Sequence, residues 1–370
     1  MARIRILVVD DSVVIRKLVS DTLAGDVDLE VVGSAGNGRI ALARIEQLHP
    51  DLITLDIEMP VMNGLETLAA VRKTYPKLPV IMFSTLTERG ASSTLEALSL
   101  GASDYVTKPS KTENLSEATE AVRSQLIPKI KALCALRSPK LTTPLLPRTA
   151  TTVRRRSTRR IEIVAIGSST GGPNALGEVL PRIARNFPVP IMIVQHMPPL
   201  FTRLLAERLA SRSQISIMEG VAGTILVAGN SWIAPGNFHM TVKKAGVEVR
   251  VDLNQEAPEN SCRPAVDVLF RSVANLYGAS ALGVVMTGMG ADGVRGSQCI
   301  REAGGEVIIQ DEASAVVWGM PGLVYAAGQA DGVYPLHQLA HEINRRVLES
   351  RAPGPEVSRN NPAVAESRSK

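Results

Sequence analysis

The sequence is poor in cysteine and in aromatic residues, and both deficits exclude certain classes of protein. Its 370 residues include three cysteines, Cys134, Cys262 and Cys299, which are far apart and form no CxxC motif. This spacing predicts neither a disulfide framework nor a zinc site, and it is typical of a reducing compartment. Aromatic residues are only 3% of the chain, so we expect aliphatic cores and little surface for stacking on single-stranded nucleic acid.

Long apolar runs and a strong charge imbalance are also missing. No run approaches the roughly 18–20 residues of a membrane span. The first one, at residues 6–9, ends at two aspartates, whereas a secretory signal needs about 7–15 apolar residues there. The net charge of +5 is small for the length, and no helix-turn-helix pattern is present. We therefore predict a soluble, cytoplasmic protein with no nucleic-acid partner and no direct membrane insertion.

A chain of this length is too long for one ordinary core, so two domains are expected. Through the first 120 or so residues, short aliphatic runs alternate with amphipathic stretches such as 12–23 and 65–75. The runs predict strands at 5–9, 29–34, 52–55, 80–83 and 104–106. Strands that alternate with helices indicate a parallel sheet covered on both faces. The first domain is therefore predicted to be a doubly wound α/β domain with five parallel strands.

A second alternating pattern begins at Ile161. Its apolar runs predict buried parallel strands at 161–166, 191–195, 282–287 and 306–310. Between them, residues 220–253 carry the short alternating runs and glycine turns of antiparallel hairpins. A last helix is predicted at 336–348. The second domain is thus expected to be a doubly wound, mostly parallel α/β domain with an antiparallel hairpin region.

The two patterns are separated by a segment of different composition. Residues 138–160 contain no acidic residue, three prolines and six arginines, among them Arg154, Arg155, Arg156 and Arg159. This composition favours an exposed linker, and the alternative is a basic arm that contacts an acidic partner. We divide the chain into a first domain at 3–123, a linker at 124–160, a second domain at 161–350 and a disordered tail at 351–370.

Acidic residues stand at two strand ends of the first domain. Asp10 and Asp11 follow the first predicted strand, and Asp56 follows the third. The carboxyl ends of parallel strands meet at one edge of a sheet, so the three carboxylates converge. They would raise one another's pKa unless a cation lay among them, and Mg²⁺ prefers such oxygen ligands.

Two further side chains belong to this edge. Ser84 follows the fourth strand, and Lys108 follows the fifth. A metal, a hydroxyl and an ammonium around one carboxylate suit the stabilisation of an acyl phosphate on Asp56. A single aspartate at a strand end is as readily a helix cap, but five matching positions at four strand ends make that explanation weak.

These segments resemble the receiver domain of two-component response regulators. The resemblance rests on VVDDS (8–12), LDIEMPVMNG (55–64), FST (83–85) and YVTKP (105–109). It implies that Asp56 is the phospho-acceptor and that Asp10 and Asp11 hold Mg²⁺ with it. It further implies that Ser84 and Lys108 contact the phosphoryl group, that Tyr105 is the switch aromatic, and that the five strands follow the flavodoxin-like order.

The second domain begins with a serine-containing turn. Residues 167–171 read G-x-S-x-G, which places Ser169 on a sharp turn between a strand and a helix, and Pro173 suits the first helical turn. Backbone N–H groups at such a helix start stabilise an oxyanion. Taken alone, the same letters also describe a serine and glycine turn that caps a helix.

A histidine and an aspartate follow two other predicted strands of this domain. His196 comes after the strand at 191–195, and Asp292 comes after the strand at 282–287. Serine, histidine and aspartate at three carboxyl strand ends can meet as nucleophile, base and orienting acid. The chain order differs from that of α/β-hydrolases, so that fold is not implied.

The glycine-rich turn around Asp292 has a competing interpretation. Residues 288–293 read G-x-G-x-x-G after a strand, and Asp311 follows the next strand, as in a dinucleotide fingerprint. That interpretation puts the Asp292 carboxylate inside a turn meant for an anionic pyrophosphate. Repulsion there would cost about 4 kcal/mol at an effective dielectric near 20, so a histidine-orienting role is favoured.

Five longer segments resemble the catalytic domain of the chemotaxis protein-glutamate methylesterase/glutamine deamidase family, CheB. They are GSSTGG (167–172), QHMPPLFT (195–202), LVAGNSWIAPGNFHM (226–240), MTGMGADG (286–293) and DEASAVVWGMP (311–321). The resemblance implies Ser169 as nucleophile, His196 as general base and Asp292 as orienting acid. The family more often has Ala at position 168, so two adjacent serines must be distinguished here.

The resemblance also implies a function. The protein is expected to be a phosphorylation-activated serine hydrolase that demethylates glutamate methyl esters and deamidates glutamines on methyl-accepting chemotaxis receptors. A chemotaxis histidine kinase would be the phosphodonor, Mg²⁺ would bind in the receiver, and the catalytic domain would need no cofactor. The unphosphorylated receiver would cover the catalytic cleft. A phosphorylation-controlled adaptor with an inactive hydrolase fold and a hydrolase acting on another modified carboxylate remain alternatives.

Overall fold

The computed structural model describes residues 3–109, 114–135 and 159–351. Most of the predicted linker and nearly all of the predicted tail lie outside these ranges, including Arg154, Arg155 and Arg156. No helix in the described ranges is long and apolar enough to cross a bilayer.

The first domain is built on a five-stranded sheet in the order β2-β1-β3-β4-β5, with every neighbouring pair parallel. Its strands are β1 (Ile4–Val9), β2 (Leu29–Ala35), β3 (Leu52–Asp56), β4 (Val80–Ser84) and β5 (Asp104–Thr107). This is the flavodoxin-like order. The predicted fold of this domain is confirmed, and every strand lies within two residues of its predicted bounds.

Five helices cover the two faces of this sheet: α1 (Val13–Ala24), α2 (Gly38–Leu48), α3 (Gly64–Thr74), α4 (Glu88–Ser99) and α5 (Leu115–Ala135). Alternate residues of β1 enter two cores, Ile6 and Val8 with α1 and α5, and Leu7 and Val9 with the other three helices. Helix α5 continues beyond residue 123.

The second domain contains a seven-stranded sheet in the order β14-β13-β12-β6-β7-β9-β8, again parallel throughout. Its strands, together with the separate pair β10 and β11, are β6 (Ile163–Ser168), β7 (Ile191–Gln195), β8 (Ser216–Glu219), β9 (Asn230–Ile233), β10 (His239–Ala245), β11 (Glu248–Asn254), β12 (Ala281–Val285), β13 (Glu306–Gln310) and β14 (Gly332–Tyr334). A mostly parallel sheet with an antiparallel hairpin is thereby confirmed.

The prediction of antiparallel hairpins throughout 220–253 is wrong in part. Only β10 and β11 form an antiparallel ladder, joined at Gly246, whose φ of +65° suits glycine. Strand β9 lies in the same segment but pairs in parallel with β7 and β8. Glycine turns mark where strands end, but they do not report the direction of a strand. The direction of β9 depends on residues far away in the sequence, since its Trp232 is buried in a core shared with other strands and helices.

Helices again lie on both faces of the second sheet: α6 (Gly172–Val179), α7 (Phe201–Ala210), α8 (Val266–Tyr277), α9 (Val294–Glu302), α10 (Met320–Ala326) and α11 (Leu336–Glu349). Residues of α6, α7 and α11 share one core, and residues of α8, α9 and α10 share the other. The position of β6 in the sheet matters most for the site, because its neighbours are β7 and β12. The carboxyl ends of these three strands therefore lie side by side.

A buried ionic network attaches α11 to the sheet. Glu342 accepts hydrogen bonds from Arg345 (2.8 Å) and Arg346 (2.6 Å), and Arg346 also pairs with Glu306 and with the Tyr334 hydroxyl. Burial opposes ionisation of Glu342, but the two guanidinium groups outweigh it and lower its pKa to about 2. Ionised Glu342 is thus part of the folded structure.

We expect Glu342→Gln to lower the free energy of unfolding by about 3 kcal/mol at pH 7, because it leaves buried guanidinium groups underpaired. A lowered pKa stabilises the fold above the unfolded value of 4.5, and this contribution disappears between pH 4.5 and pH 2. Urea unfolding followed by tryptophan fluorescence measures this in the second domain, where both tryptophans, Trp232 and Trp318, lie. The difference between the wild type and the variant should shrink as the pH falls below 4.5.

Glu349→Gln is the matched control, since Glu349 pairs with Arg345 on the same helix but its side chain is 52% exposed. It should cost less than about 0.5 kcal/mol. A pH-independent loss in Glu342→Gln, or an equal loss in Glu349→Gln, would contradict the network.

Candidate active site

The first candidate site lies at the carboxyl edge of the first sheet. Asp10 and Asp56 are buried, and Asp11 beside them is exposed. Lys108 Nζ lies 2.8 Å from Asp10 Oδ2 and 2.8 Å from Asp56 Oδ1. The structure therefore brings together the three predicted carboxylates and the predicted lysine.

This acidic pocket suits a divalent cation. Oxygen atoms of Asp10, Asp11 and Asp56 lie within 4.8 Å of one another. Burial and the Asp10 carboxylate raise the pKa of Asp56 to about 6 despite the Lys108 ammonium. The buried Asp56 Oδ2 accepts no hydrogen bond from any residue that the structure describes. Such an oxygen, in a set of carboxylates only, fits the preference of Mg²⁺.

Ser84 stands at the end of β4 in the same pocket, but its hydroxyl is engaged by α4. Ser84 Oγ donates to the Gly90 carbonyl (3.0 Å) and accepts from Thr94 Oγ1 (2.6 Å). The predicted phosphoryl-contacting hydroxyl thus links the pocket to the first turns of α4.

The two adjacent serines of the second site have different environments. Ser168 is fully buried at the end of β6, and its hydroxyl donates to Gln195 Oε1 (2.7 Å). Ser169 follows on the turn and lines a cavity of about 510 Å³ together with His196. The following helix is capped by the backbone of Gly171, with no side-chain cap, so the explanation of this turn as a serine cap does not hold. Only Ser169 faces the space that a substrate would enter.

The Gln195 side chain ties this serine turn to the histidine. Its amide donates to the carbonyls of Ser169 (3.0 Å) and His196 (3.3 Å). A Cβ on Gly172 would lie 1.9 Å from Gln195 Oε1, so glycine is required where the helix begins.

His196 and Asp292 form a direct pair. His196 Nε2 lies 2.8 Å from Asp292 Oδ2, as predicted for a base and its orienting acid. Burial disfavours a charge on His196, but Asp292 and Cys262 outweigh burial and raise its pKa to about 10. Burial also opposes the Asp292 charge, yet hydrogen bonds to its carboxylate lower its pKa. The hydrogen bond between the two residues therefore favours the charged form of each.

The Asp292 carboxylate is fixed by residues that sequence reasoning missed. It accepts from the backbone N–H groups of Val266 (2.6 Å) and Asp267 (2.9 Å) and from Asn260 Nδ2 (3.0 Å). Asn260 Nδ2 also donates to the buried Asp267 Oδ2 (3.0 Å). These residues belong to the loop before α8 and to its first turn, so they could not be predicted from strand ends.

The glycine-rich turn at 288–293 carries Asp292 and packs against the serine turn. A Cβ on Gly288 would lie 2.3 Å from Met320 Sδ and 2.9 Å from Ser169 Cβ, so packing accounts for that glycine. Asp311, the residue suggested for ribose, accepts from the Ser314 backbone N–H (3.0 Å) and hydroxyl (2.5 Å). The glycine spacing and Asp311 therefore each have a structural explanation that does not involve a dinucleotide.

The cavity beside Ser169 is covered by the first domain. Tyr105, Thr107, Gln125 and Lys129 supply one wall of it. Within the described ranges no hydrogen bond joins Ser169 to His196, and His196 Nδ1 lies 3.6 Å from Cys262 Sγ instead. The structure therefore shows a covered site whose nucleophile and base are not yet engaged.

Specific contacts hold this cover in place. The Tyr105 and Phe201 rings stack at 4.9 Å with an interplanar angle of 7°. Thr170, next to Ser169, donates to Asp104 Oδ2 (2.7 Å), which also pairs with Lys129 (3.0 Å). Tyr105, predicted as the switch aromatic, thus lies in the interface between the domains.

Further contacts run along α4. Asn174 Nδ2 donates to the Leu98 carbonyl (2.7 Å), and Arg203 pairs with Glu88 (2.8 Å) at the first residue of α4. The helix that engages the Ser84 hydroxyl therefore also contacts the second domain.

Comparison with known proteins identifies both domains. Residues 164–343 match the family model described as CheB methylesterase, and residues 6–120 match the response regulator receiver domain. A protein-glutamate methylesterase/protein-glutamine glutaminase of Trichodesmium erythraeum is 53% identical over 94% of this chain and 100% of its own length. The chain belongs to the CheB methylesterase family. The resemblance predicted from the motifs is confirmed.

Two other CheB-family proteins are also similar to this chain. A protein of Nocardioides sp. with the same description is 50% identical over 95% of this chain and 97% of its own. The catalytic domain of Thermotoga maritima CheB methylesterase, a solved structure, is 40% identical and aligns with a TM-score of 0.49 over 50% of this chain and 98% of that one.

Proposed function

We propose that this CheB-family chain is a phosphorylation-activated hydrolase of modified glutamates on methyl-accepting chemotaxis receptors in the cytoplasm. It releases methanol from glutamate methyl esters and ammonia from glutamines. The observation that carries the proposal is the His196–Asp292 pair beside Ser169, in a cavity walled by a receiver domain. We keep the division into a receiver, a linker, a catalytic domain at 161–350 and a tail, but we extend the receiver from the expected residue 123 to the end of α5 at 135, because that helix packs in its core.

The chemistry follows from which histidine nitrogen is available. Asp292 engages Nε2, so Nδ1 is the atom that accepts the Ser169 proton. Ser169 Oγ then bonds to the γ-carbonyl carbon, and His196 passes the proton to the departing methanol or ammonia. Water, deprotonated by the same nitrogen, clears the glutamyl ester and restores Ser169.

The serine turn offers donors for the oxyanion. In the described part of the chain, the backbone N–H groups of Thr170 and Gly171 donate no hydrogen bond, whereas that of Gly172 is engaged by the Ser169 carbonyl. These two N–H groups lie at the start of α6, where the helix dipole also favours negative charge.

The covered conformation explains how this chemistry is held back. Within the described residues His196 makes no hydrogen bond to Ser169, so in this conformation it cannot take the serine proton. Its Nδ1 contacts Cys262, and the receiver occupies the entrance. Activity therefore requires that the receiver move away and that the ring engage Ser169.

Phosphorylation of Asp56 supplies the switch. Asp10, Asp11 and Asp56 would hold Mg²⁺, which neutralises charge during phosphoryl transfer from a chemotaxis histidine kinase. Lys108 already contacts Asp56, and Ser84 would bind the phosphoryl group by giving up its bonds to α4. Because α4 contacts the catalytic domain, its release weakens the cover and shifts the population toward the open state.

The test is methanol release from a methylated chemoreceptor fragment and ammonia release from its glutamine form. A small phosphodonor with Mg²⁺ should raise both rates at least about fivefold in the wild type. Asp56→Ala should retain the unstimulated rate and show no stimulation. Equal stimulation in Asp56→Ala would contradict the switch, and no release by any folded form would favour the adaptor or a different carboxyl substrate.

A further inference from the structure

Cys262 lies at the catalytic base, yet the proposed hydrolysis makes no use of it. Its Sγ is 3.6 Å from His196 Nδ1, and both residues line the cavity of about 510 Å³. The cysteine is half-buried, so the thiol is reachable from that cavity. The pair of a thiol and an imidazole nitrogen is a set of ligands for a thiophilic metal ion.

The separation of the two atoms suits a shared metal ion. Zn²⁺ binds cysteine sulfur at about 2.3 Å and histidine nitrogen at about 2.0–2.1 Å, with tetrahedral angles. These values place a sulfur and a nitrogen on one ion about 3.6 Å apart. His196 Nδ1 and Cys262 Sγ already have that spacing.

The other nitrogen of the ring is occupied as a metal-bound histidine requires. Asp292 Oδ2 lies 2.8 Å from Nε2 and fixes the proton on that side, so Nδ1 is directed at Cys262. A carboxylate, a histidine and a metal in this order are a recurrent arrangement that orients the ring and raises its basicity.

The cysteine is also held by a rigid turn. Glu259 and Cys262 exchange two backbone hydrogen bonds of 3.1 and 2.9 Å across Asn260 and Ser261, both with left-handed φ. Asn260 is anchored to Asp292, and Glu259 accepts two hydrogen bonds from Arg271. Little reorganisation is therefore needed to present the thiol, which favours binding.

We propose that His196 Nδ1 and Cys262 Sγ bind a thiophilic divalent cation such as Zn²⁺ and that the bound ion blocks the base. Binding releases the Cys262 thiol proton and any proton on His196 Nδ1 to solvent, and water completes the coordination. Lys129 and Arg263 line the same cavity, so the ion binds weakly and reversibly, as an inhibitor. The metal binding stands apart from the proposed function; only the inhibition rests on His196 being the base.

Cobalt spectroscopy tests the site without any assay of activity. We expect Co²⁺ added to the full chain to give a thiolate-to-metal charge-transfer absorption that rises along a saturable one-site binding curve. Cys262→Ser and Cys262→Ala should lose the band, whereas Cys299→Ser, which changes a thiol distant from His196, should keep it. The acidic pocket of the receiver offers only oxygen ligands and gives no such band. No band in the wild type, or an unchanged band in folded Cys262→Ser, would overturn the site.

Zinc titration then tests the consequence. Each protein is compared with its own uninhibited rate of methanol release, and the concentration for half-inhibition should rise about tenfold or more in Cys262→Ser relative to Cys299→Ser. Mg²⁺ at the same concentrations should not inhibit. A cobalt band without zinc inhibition would leave the metal site standing and overturn the role of His196 as the base.

Discussion

Replacing Ser169 by alanine is expected to lower methanol release at least about 1,000-fold, because the loss of the nucleophile removes covalent catalysis. Ser169 follows β6 on the turn that leads into α6, and it lines the same cavity as His196. The rate should be measured with phosphodonor present, so that the receiver does not mask the difference. KM should change little, since the hydroxyl contributes to reaction rather than to substrate binding.

Ser168→Ala is the matched control for this serine. Ser168 has no exposed surface, and its hydroxyl donates to Gln195. Losing that bond loosens Gln195, which also holds the Ser169 and His196 carbonyls, so we expect a decrease of less than about tenfold. A loss of activity in Ser168→Ala as large as in Ser169→Ala, in folded protein, would show that the nucleophile has been assigned to the wrong serine.

Asp292→Asn is expected to lower kcat by about 100- to 10,000-fold. An amide in place of the carboxylate cannot stabilise the His196 cation, and its NH₂ group cannot accept one of the two N–H bonds that Val266 and Asp267 now donate to separate oxygens. The ring loses both its tautomer and its orientation. The measurement is kcat and KM for methanol release by the phosphodonor-treated protein.

Asp311→Asn provides the control for this aspartate. Asp311 also follows a central strand of the sheet, β13, but it bonds only locally to Ser314. Its replacement should leave kcat within about threefold of the wild type, because it has no contact with the histidine. If the two variants lose kcat equally, the orienting role of Asp292 is excluded.

The sequence predicted the elements that carry the site because buried parallel strands are continuous aliphatic runs. Strands β7 and β13 have the predicted bounds, and β6 and β12 are shifted by one or two residues. Strand ends also predicted the site itself. Once strands are parallel and adjacent, residues just after them meet, which is why Ser169, His196 and Asp292 could be proposed together.

Other features had no local signal. Cys262 contacts His196, and Asn260 and Asp267 bond to Asp292, from a loop and a helix start. Two left-handed residues shape that loop. Neither strand ends nor cysteine spacing reports such a position. The cysteine count predicted no zinc site, because it considers cysteines near one another in sequence, whereas the partner of Cys262 is 66 residues away.

The interface between the domains was equally inaccessible to local reasoning. Tyr105 and Phe201 are far apart along the chain, and nothing in the pattern around either one predicts that they stack. The family resemblance predicted a covered cleft, and the structure supplied the residues that cover it. Edge strands β8 and β14 were missed because they are short and only partly buried.

The central claim is that the receiver restrains a serine hydrolase by covering it, and the unstimulated activity of Tyr105→Ala tests it most directly. The variant removes the ring that stacks on Phe201, a contact that contributes about 1.4 kcal/mol beyond simple burial. Without phosphodonor, its methanol release should exceed that of the wild type about tenfold, and later stimulation should be correspondingly smaller.

Tyr75→Ala is the control, because Tyr75 follows α3 in the receiver and has no part in the contacts described between the domains. It should leave both the unstimulated rate and the stimulation unchanged. An unstimulated rate in folded Tyr105→Ala that equals or falls below that of the wild type, with full stimulation retained, would contradict the account.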